Sequence, residues 1–481
     1  MKRLISCVFA LLYVMTGFAS GTWILHGKEY RVDTLYHAYI GPGTTQTSIK
    51  LAGPVNLRVF YTTTDLKNEN VDVRAIKHKD TLTGLGTVSN AAESHSTSNR
   101  SYFAGINADF FSSSMPCGIT VVDGEVYCSD QASGWSLFGI DANKIPYSGG
   151  GDFYVKLTAP DYSTAELSAM NLERETNGLV LYSSRKGANT GTDSNGSEVV
   201  LVPDGEGNFL TPGATVRMRV QGNPSHAGSM PIPDNGCILS GSGTKESFVS
   251  NLSEGDVVEV RCAIRFNGFT GGKIQQALGG CPMLVSGGKV LDTENALDHL
   301  TSAQPRTAVG YNAEKNKLVM LVADGRSSIS VGPISKVLAD IMIYAGCSEA
   351  MNFDGGGSST FYVKGEGVIN QPSDGSERSV TDGLYLSTDA PQNDVTITTI
   401  RFMDYAKTLN QGDAYTPVIY GYNQYGVLVD RNVEGVTLSC GSSLGTITND
   451  GTTLNASGSG THMLTAGYGN LTTTLSVTVI G

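Results

Sequence analysis

The sequence lacks a long hydrophobic run. Its most apolar segment, Leu4 to Met15, is too short for a helix that spans a bilayer. Clustered lysine and arginine are also missing: 33 basic residues face 45 acidic ones, giving a net charge of -12. A nucleic acid backbone needs concentrated positive charge, so nucleic acid is excluded as the main partner. A small phosphate-bearing ligand is not excluded, because one arginine and a few backbone dipoles can hold it. No Cys-x-x-Cys pair occurs, which argues against structural zinc. Histidine and aspartate do not cluster as a two-metal site requires, and His226 stands alone in a polar loop. No long internal repeat is visible. Charged residues are few (16%) and apolar ones make up 40%, so the chain can bury a substantial core and disorder is excluded.

What is abundant is glycine, 59 of 481 residues, which points to many turns and to β structure. The length suggests two to four domains. At the start, Lys2-Arg3, the apolar segment and Gly17-Phe18-Ala19 form the pattern of a secretory signal over residues 1–19. Cys7 has no lipid-anchor context. The expected location is therefore periplasmic or at the cell surface. Seven cysteines then remain, at 117, 128, 237, 262, 281, 347 and 440. An exported protein can form disulfides, and the odd number leaves at least one thiol free or paired between chains.

In chain order, residues 20–97 read as a β-rich segment with strands at Leu57 to Tyr61 and Val71 to Ala75. Ala91 to Arg100 is Ser-rich and reads as a loop. The apolar run Phe103 to Ile106 ends in Asn107-Ala108-Asp109-Phe110-Phe111. Gly118 to Cys128 reads as a hairpin about Asp123-Gly124, a turn that opposes Cys117 to Asp130 rather than to Cys128. A 117–128 disulfide would need a bulge. Ser163 to Leu172 has the capping-box pattern of a short helix, with Ser163 and Glu166. Arg306 to Tyr311 and Lys317 to Val322 form a hairpin whose second strand ends in Asp324-Gly325-Arg326. From about 391 the composition shifts to Thr, Gly and Val, with a strand every 8–12 residues, the pattern of a small β-sandwich over 391–481.

The most informative stretch is Asn352-Phe353-Asp354-Gly355-Gly356-Gly357-Ser358-Ser359-Thr360. The helical spacing at 334, 337, 338, 341 and 345 precedes it, with Pro333 suited to the first turn and Gly346 to the stop. Three glycines allow a sharp turn and close approach to a ligand, and their N–H groups can form an anion nest. Three strand ends thus deliver Asp109, Asp324 and Asp354, and Arg306 opens a strand.

Together with Pro305-Arg306-Thr307-Ala308-Val309-Gly310, Leu321 to Arg326, and Pro372-Ser373-Asp374 with Arg378, these motifs resemble the phosphodiester glycosidase family over residues 98–387. The tail resembles bacterial Ig-like domains. One departure stands out: an animal lysosomal member carries glycine where this chain has Asp109, so a catalytic role for Asp109 is not inherited from it. The stretch 123–300 is also longer here, which implies a different specificity. The resemblance implies an α+β fold, with a β-rich mixed-sheet catalytic domain at 98–390 followed by the Ig-like sandwich. It also implies hydrolysis of a sugar-1-phosphodiester to free sugar and a phosphomonoester. A phosphomonoester has a second pKa of about 6 and leaves readily, so the demand falls on a carboxylate that stabilises an oxocarbenium-like centre or activates water.

On that reading Asp354 and Asp324 carry the chemistry, with Asp109 a further candidate, and Asn107 orients the sugar or phosphate. Arg306, Thr307, Gly355, Gly356, Gly357, Ser358 and Arg378 bind phosphate. Hard oxygen ligands leave room for a divalent cation, Ca or Mg, and no spacing requires one. The expected partner is a phosphate-containing glycan, with the tail free to touch cell-surface glycans. Two alternatives remain open at this stage: a non-catalytic glycan-binding protein, and a phosphodiesterase that cuts P–O.

Overall fold

The computed structural model describes residues 21–130, 134–205, 211–266, 272–293 and 298–481. The expected export signal at 1–19 lies outside them. Among the described residues no helix is long and apolar enough to cross a membrane.

A nine-stranded antiparallel sheet carries two of the three strand ends. Its order is Gly21–Leu25, Lys28–Gly41, Thr44–Ala52, Asn56–Asp65, Lys317–Ala323, Arg306–Tyr311, Glu349–Asn352, Met283–Ser286 and Lys289–Val290. The central strands are apolar on both sides because both faces are covered. On one face Val59, Tyr61, Val319 and Leu321 meet Leu338, Ile341 and Met342 of the helix Ser335–Tyr344. On the other face Phe60, Met320, Val322 and Met351 meet a second sheet. The helix begins one residue later than the spacing suggests: Ile334 is its N-cap, so Pro333 precedes the helix rather than filling its first turn.

The second sheet has the order Gly367–Val368, Phe361–Val363, Ser101–Asn107, Asp382–Thr388 and Asp72–Lys77. Residues 21–77 thus supply strands to both sheets that hold the motifs. The far face is covered by a helix, Val88–His95, where the sequence reads as a loop from 91. Two features offset its polar composition. Thr87 caps its first turn by accepting from the Asn90 N–H (3.3 Å), and Val88, Ala91 and Ala92 are buried on one side.

Thr120–Val122 and Glu125–Cys128 form the expected hairpin, with a bulge before Cys128 that pairs it with Thr120. Even so, all seven described cysteines are free thiols. Residues 151–266 build an eight-stranded sheet whose apolar core is shared with Val121, Val126, Leu137 and Ala277 of a neighbouring five-stranded sheet. The expected helix at 163–172 is absent. Thr164–Glu166 instead returns antiparallel along Gly151–Thr158. Asp161, not Ser163, is the local cap: it accepts from the Ser163 N–H (2.9 Å) and hydroxyl (2.6 Å), closing a turn rather than opening a helix.

The C-terminal residues form three small sheets around a separate core that includes Phe402, Leu454, Leu464 and Val477. This unit leans on the body of the protein. Tyr420 and Tyr422 pack on Ala38, and the Tyr422 hydroxyl donates to Tyr39 O (2.8 Å). Arg431 bonds the Glu366 carboxylate (2.7 Å) and Lys364 O (2.6 Å).

Candidate active site

The acidic strand ends meet the glycine loop by different routes: the Asp354 N–H bonds Ala108 O, next to Asp109, and Asp324 reaches the loop through Asn370, whose Nδ2 donates to Asp324 Oδ1 and to Ser359 O. Asn107 closes the second sheet's central strand, while Ala323 and Asn352 close two strands of the first. The loop that follows Asn352 is held by backbone bonds. Phe353 N–H donates to Thr307 O (2.8 Å), Asp354 N–H to Ala108 O (2.8 Å) and Gly356 N–H to Pro305 O (2.9 Å). Gly356 has φ +62°, a conformation that glycine takes at no steric cost.

Asn107 sits at the centre of this clamp, 1% exposed. Its Nδ2 donates to Asp354 O (2.7 Å), and its Oδ1 accepts from the Thr307 hydroxyl (2.8 Å) and Thr360 N–H (3.1 Å). The Thr307 hydroxyl also lies 3.2 Å from that of Ser359. Asn107 and Thr307 therefore bind the loop itself. The nest expected of the glycines is largely occupied in the same way. Gly355 N–H bonds the Asp354 carboxylate, Gly356 N–H is taken by Pro305, and Ser358 N–H turns back to Gly355 O.

The three carboxylates differ in access. Asp109 is 1% exposed and Asp324 3%, whereas Asp354 is only half-buried. Asp324 Oδ1 accepts from Gln371 N–H (2.9 Å) and from Asn370 Nδ2 (3.4 Å), and its Oδ2 is buried without a partner. Burial pushes the Asp324 carboxyl above its ordinary range, against those two donors. The Asp109 carboxyl is driven well up, by burial first and by neighbouring Asp382 second. Burial also lifts Asp354, to about 6, against the Ser358 hydroxyl and Gly355 N–H that bond its charged form.

Three arginines surround the loop. Arg306 is 2% exposed; its Nη2 donates to Ser302 O, and its stem runs beneath Gly355. Burial and the nearby Arg326 charge lower its guanidinium to about 10. Arg326 lies against Gly356 on the exposed side, its Nε held by Gln304 Oε1 (2.7 Å). Arg378 lies against Gly357, paired with Asp374 (2.6 Å), and its Nη1 reaches the Ser358 hydroxyl (3.4 Å). A short relay thus runs from Arg378 through Ser358 to Asp354. The cations that face outward are Arg326 and Arg378, while Arg306 lies under the loop.

Sequence reasoning gave Arg326 no role, although it stood within a quoted motif, and it missed Asp382, Lys77 and Asn370. The available signal for Asp382 was a carboxylate opening the apolar strand Leu384-Tyr385-Leu386. Among the described residues no group of three or more His, Cys, Asp or Glu side chains is arranged to hold a metal ion.

A Bacillus subtilis SPbeta prophage-derived uncharacterized protein, YomE, is 40% identical over 88 residues, 18% of this chain; the chain spans 13% of that relative's length. A solved Synechocystis protein superposes with a TM-score of 0.56 at 15% identity, covering 72% of this chain and 62% of that one. A Burkholderia pseudomallei protein gives 0.56 at 17% identity, covering 76% and 98%. These two share the fold. The zebrafish N-acetylglucosamine-1-phosphodiester alpha-N-acetylglucosaminidase catalytic domain gives 0.39 at 13% identity, covering 74% of this chain and 87% of that one. Residues 213–387, which hold Arg306, Asp324, the glycine loop and Arg378, match the phosphodiester glycosidase family.

Proposed function

We propose that this protein is an exported hydrolase that cleaves the glycosidic bond of a sugar-1-phosphodiester, releasing free sugar and a phosphomonoester. The observation that carries the reading is Asp354. It is the most accessible of the three carboxylates, it rests on a fixed loop, and two outward arginines flank it. Arg326 and Arg378 hold the phosphodiester, with Arg306 adding positive potential from below. Asp354 acts in its ionised form, either taking a proton from water or attacking the anomeric carbon itself. The bond from that carbon to the phosphate oxygen breaks, and the electron pair leaves with the phosphate. Asn107, Thr307 and Asp324 position the loop rather than touch the sugar.

Carboxylates suit an oxocarbenium-like centre and would repel an anionic phosphorus. In ¹⁸O-labelled water the label should therefore enter the released sugar. Label in the phosphate would establish a phosphodiesterase instead, and no product from any sugar-1-phosphodiester would leave a binding protein. The anomer formed first separates direct inversion from a covalent intermediate on Asp354. The C-terminal sheets are proposed to be an Ig-like unit that contacts surface glycans.

A further inference from the structure

Behind Asp354 lies a buried assembly that the mechanism above does not use. Lys77 is 2% exposed and Asp382 is fully buried, neighbours on paired strands whose register sets Asp382 opposite Lys77. Lys77 Nζ donates to Thr381 O (3.1 Å), and the Thr381 hydroxyl donates to Asp382 Oδ2 (2.9 Å). Asp382 Oδ1 accepts the N–H of Asp109 (2.9 Å). The same peptide unit offers its other end, Ala108 O, to the N–H of Asp354 (2.8 Å). One peptide is thus gripped by the Asp382 carboxyl group on one side and holds the reacting residue on the other.

The Asp109 side chain fixes this corner from a third direction. Its Oδ2 accepts from Gly118 N–H (2.9 Å), and Gly279 N–H also bonds the carboxylate. A Cβ at Gly279 would lie 2.7 Å from Oδ2, and one at Gly118 2.8 Å from it. Both positions must be glycine for the carboxylate to fit there.

We infer that Asp382, locked by Lys77 and Thr381, is a positioning residue that fixes Asp354 through the Ala108–Asp109 peptide. Burial raises the Asp382 carboxyl, against Lys77, the Asp109 N–H and the Thr381 hydroxyl, which favour its ionised form; in that form it polarises the peptide and puts negative potential behind the reacting carboxylate. A carboxylate so placed is a stronger base than a solvated one, which suits it to the role given to Asp354. Burial is the first cause of the upward shift of Asp354, and Asp382 adds to it. The titratable groups facing the assembly are Lys77, Asp109, Cys117, Cys128, Asp354 and Tyr385, with Arg378 on the outer side of Asp354.

The inference rests on the catalytic reading of Asp354, and its test is built to separate the two. In the full chain, Asp382→Asn keeps an acceptor for the Asp109 N–H and removes the charge. The Asp354 carboxyl is followed by ¹³C NMR, with Asp354→Asn assigning its signal, and hydrolysis of a sugar-1-phosphodiester is followed in parallel. The expected result is a downward shift of the Asp354 midpoint and a kcat lower by about 10²-fold, as for a misplaced reacting group, with KM unchanged. An unmoved midpoint would overturn the inference. If Asp382→Asn does not fold, Thr381→Val removes one hydrogen bond to Asp382. Faster exchange of the Asp354 amide and a loss of about 5-fold in kcat are then expected, and no change in either overturns it. Wild-type protein inert on every sugar phosphodiester would sink the catalytic reading alone, since the NMR and exchange measurements need no turnover.

Discussion

Buried acid is handled in opposite ways in two regions. In the eight-stranded sheet, Glu198 is 1% exposed, and four donors meet it: the hydroxyls of Thr190, Thr192 and Ser240 and the N–H of Met230. Ser240 also accepts from Arg174, which pairs with Asp193 (2.6 Å) between two polar cavities of about 400 and 470 Å³. Around the glycine loop, by contrast, Asp109 and Asp324 each keep one buried oxygen without a partner, and Asp354 is pushed up by burial. A carboxylate with every lone pair answered stabilises a fold. Carboxylates short of donors cost stability, and such costs concentrate where chemistry is done.

That contrast can be broken by substitution, and the largest effect belongs to Asp354. Asp354→Asn is expected to lower kcat by about 10³-fold with the fold intact. The wild-type rate should rise with pH through about 6 and then level, since the ionised form acts. Stability should move the other way. The folded carboxyl titrates above its ordinary 3.8, so its stabilising contribution is present below that pH and lost as pH rises through about 6. Asp354→Asn should therefore be the more stable protein at pH 7, by on the order of 1 kcal/mol after allowance for its partial exposure. Urea unfolding at pH 4 and pH 7 checks both signs.

Arg378→Ala comes next. Loss of a charged phosphate contact should cost roughly 1.5–3 kcal/mol in kcat/KM, mostly through KM. If Arg306→Ala instead raises KM while Arg378→Ala does not, the outward and inward arginines have been assigned in reverse. Ser358→Ala should cost about 10-fold, because the Gly355 N–H still bonds Asp354. It should also move the midpoint of the pH–rate curve upward, since a donor to the charged form is gone. Glu198→Gln should change turnover least. An amide NH₂ there faces donors, so it should destabilise the fold by about 1–3 kcal/mol in urea while kcat stays at the wild-type value.

Much of the framework was legible in the sequence. Alternation marked Asn56–Asp65 and the Arg306/Lys317 hairpin, and the turn chemistry of Asp123-Gly124 marked its hairpin. The three acidic strand ends and the glycine loop could be picked out because strand ends and Gly runs leave local signals. What local patterns could not give was burial. Asn107 and Arg306 look like ligand contacts by residue type, and only the packing shows them turned inward. Lys77 and Asp382 are 305 residues apart in the chain and meet only through sheet register. The helix at 88–95 and the turn and strand at 161–166 were misread for a related reason. Ser and Thr serve helix caps and turns equally well, and tertiary contacts decide between them.

The seat of the C-terminal unit has a mechanical consequence. Its Arg431 holds Lys364 and Glu366, in the turn that follows the strand leading out of Thr360 and the glycine loop. Its tyrosines pack on the Lys28–Gly41 strand. The unit is thus a fixed arm and not a bead on a string. Fluorescence anisotropy of a dye on an exposed residue of this arm should decay with one rotational correlation time, that of the whole particle. The glycine loop and this arm thus keep a constant angle to one another.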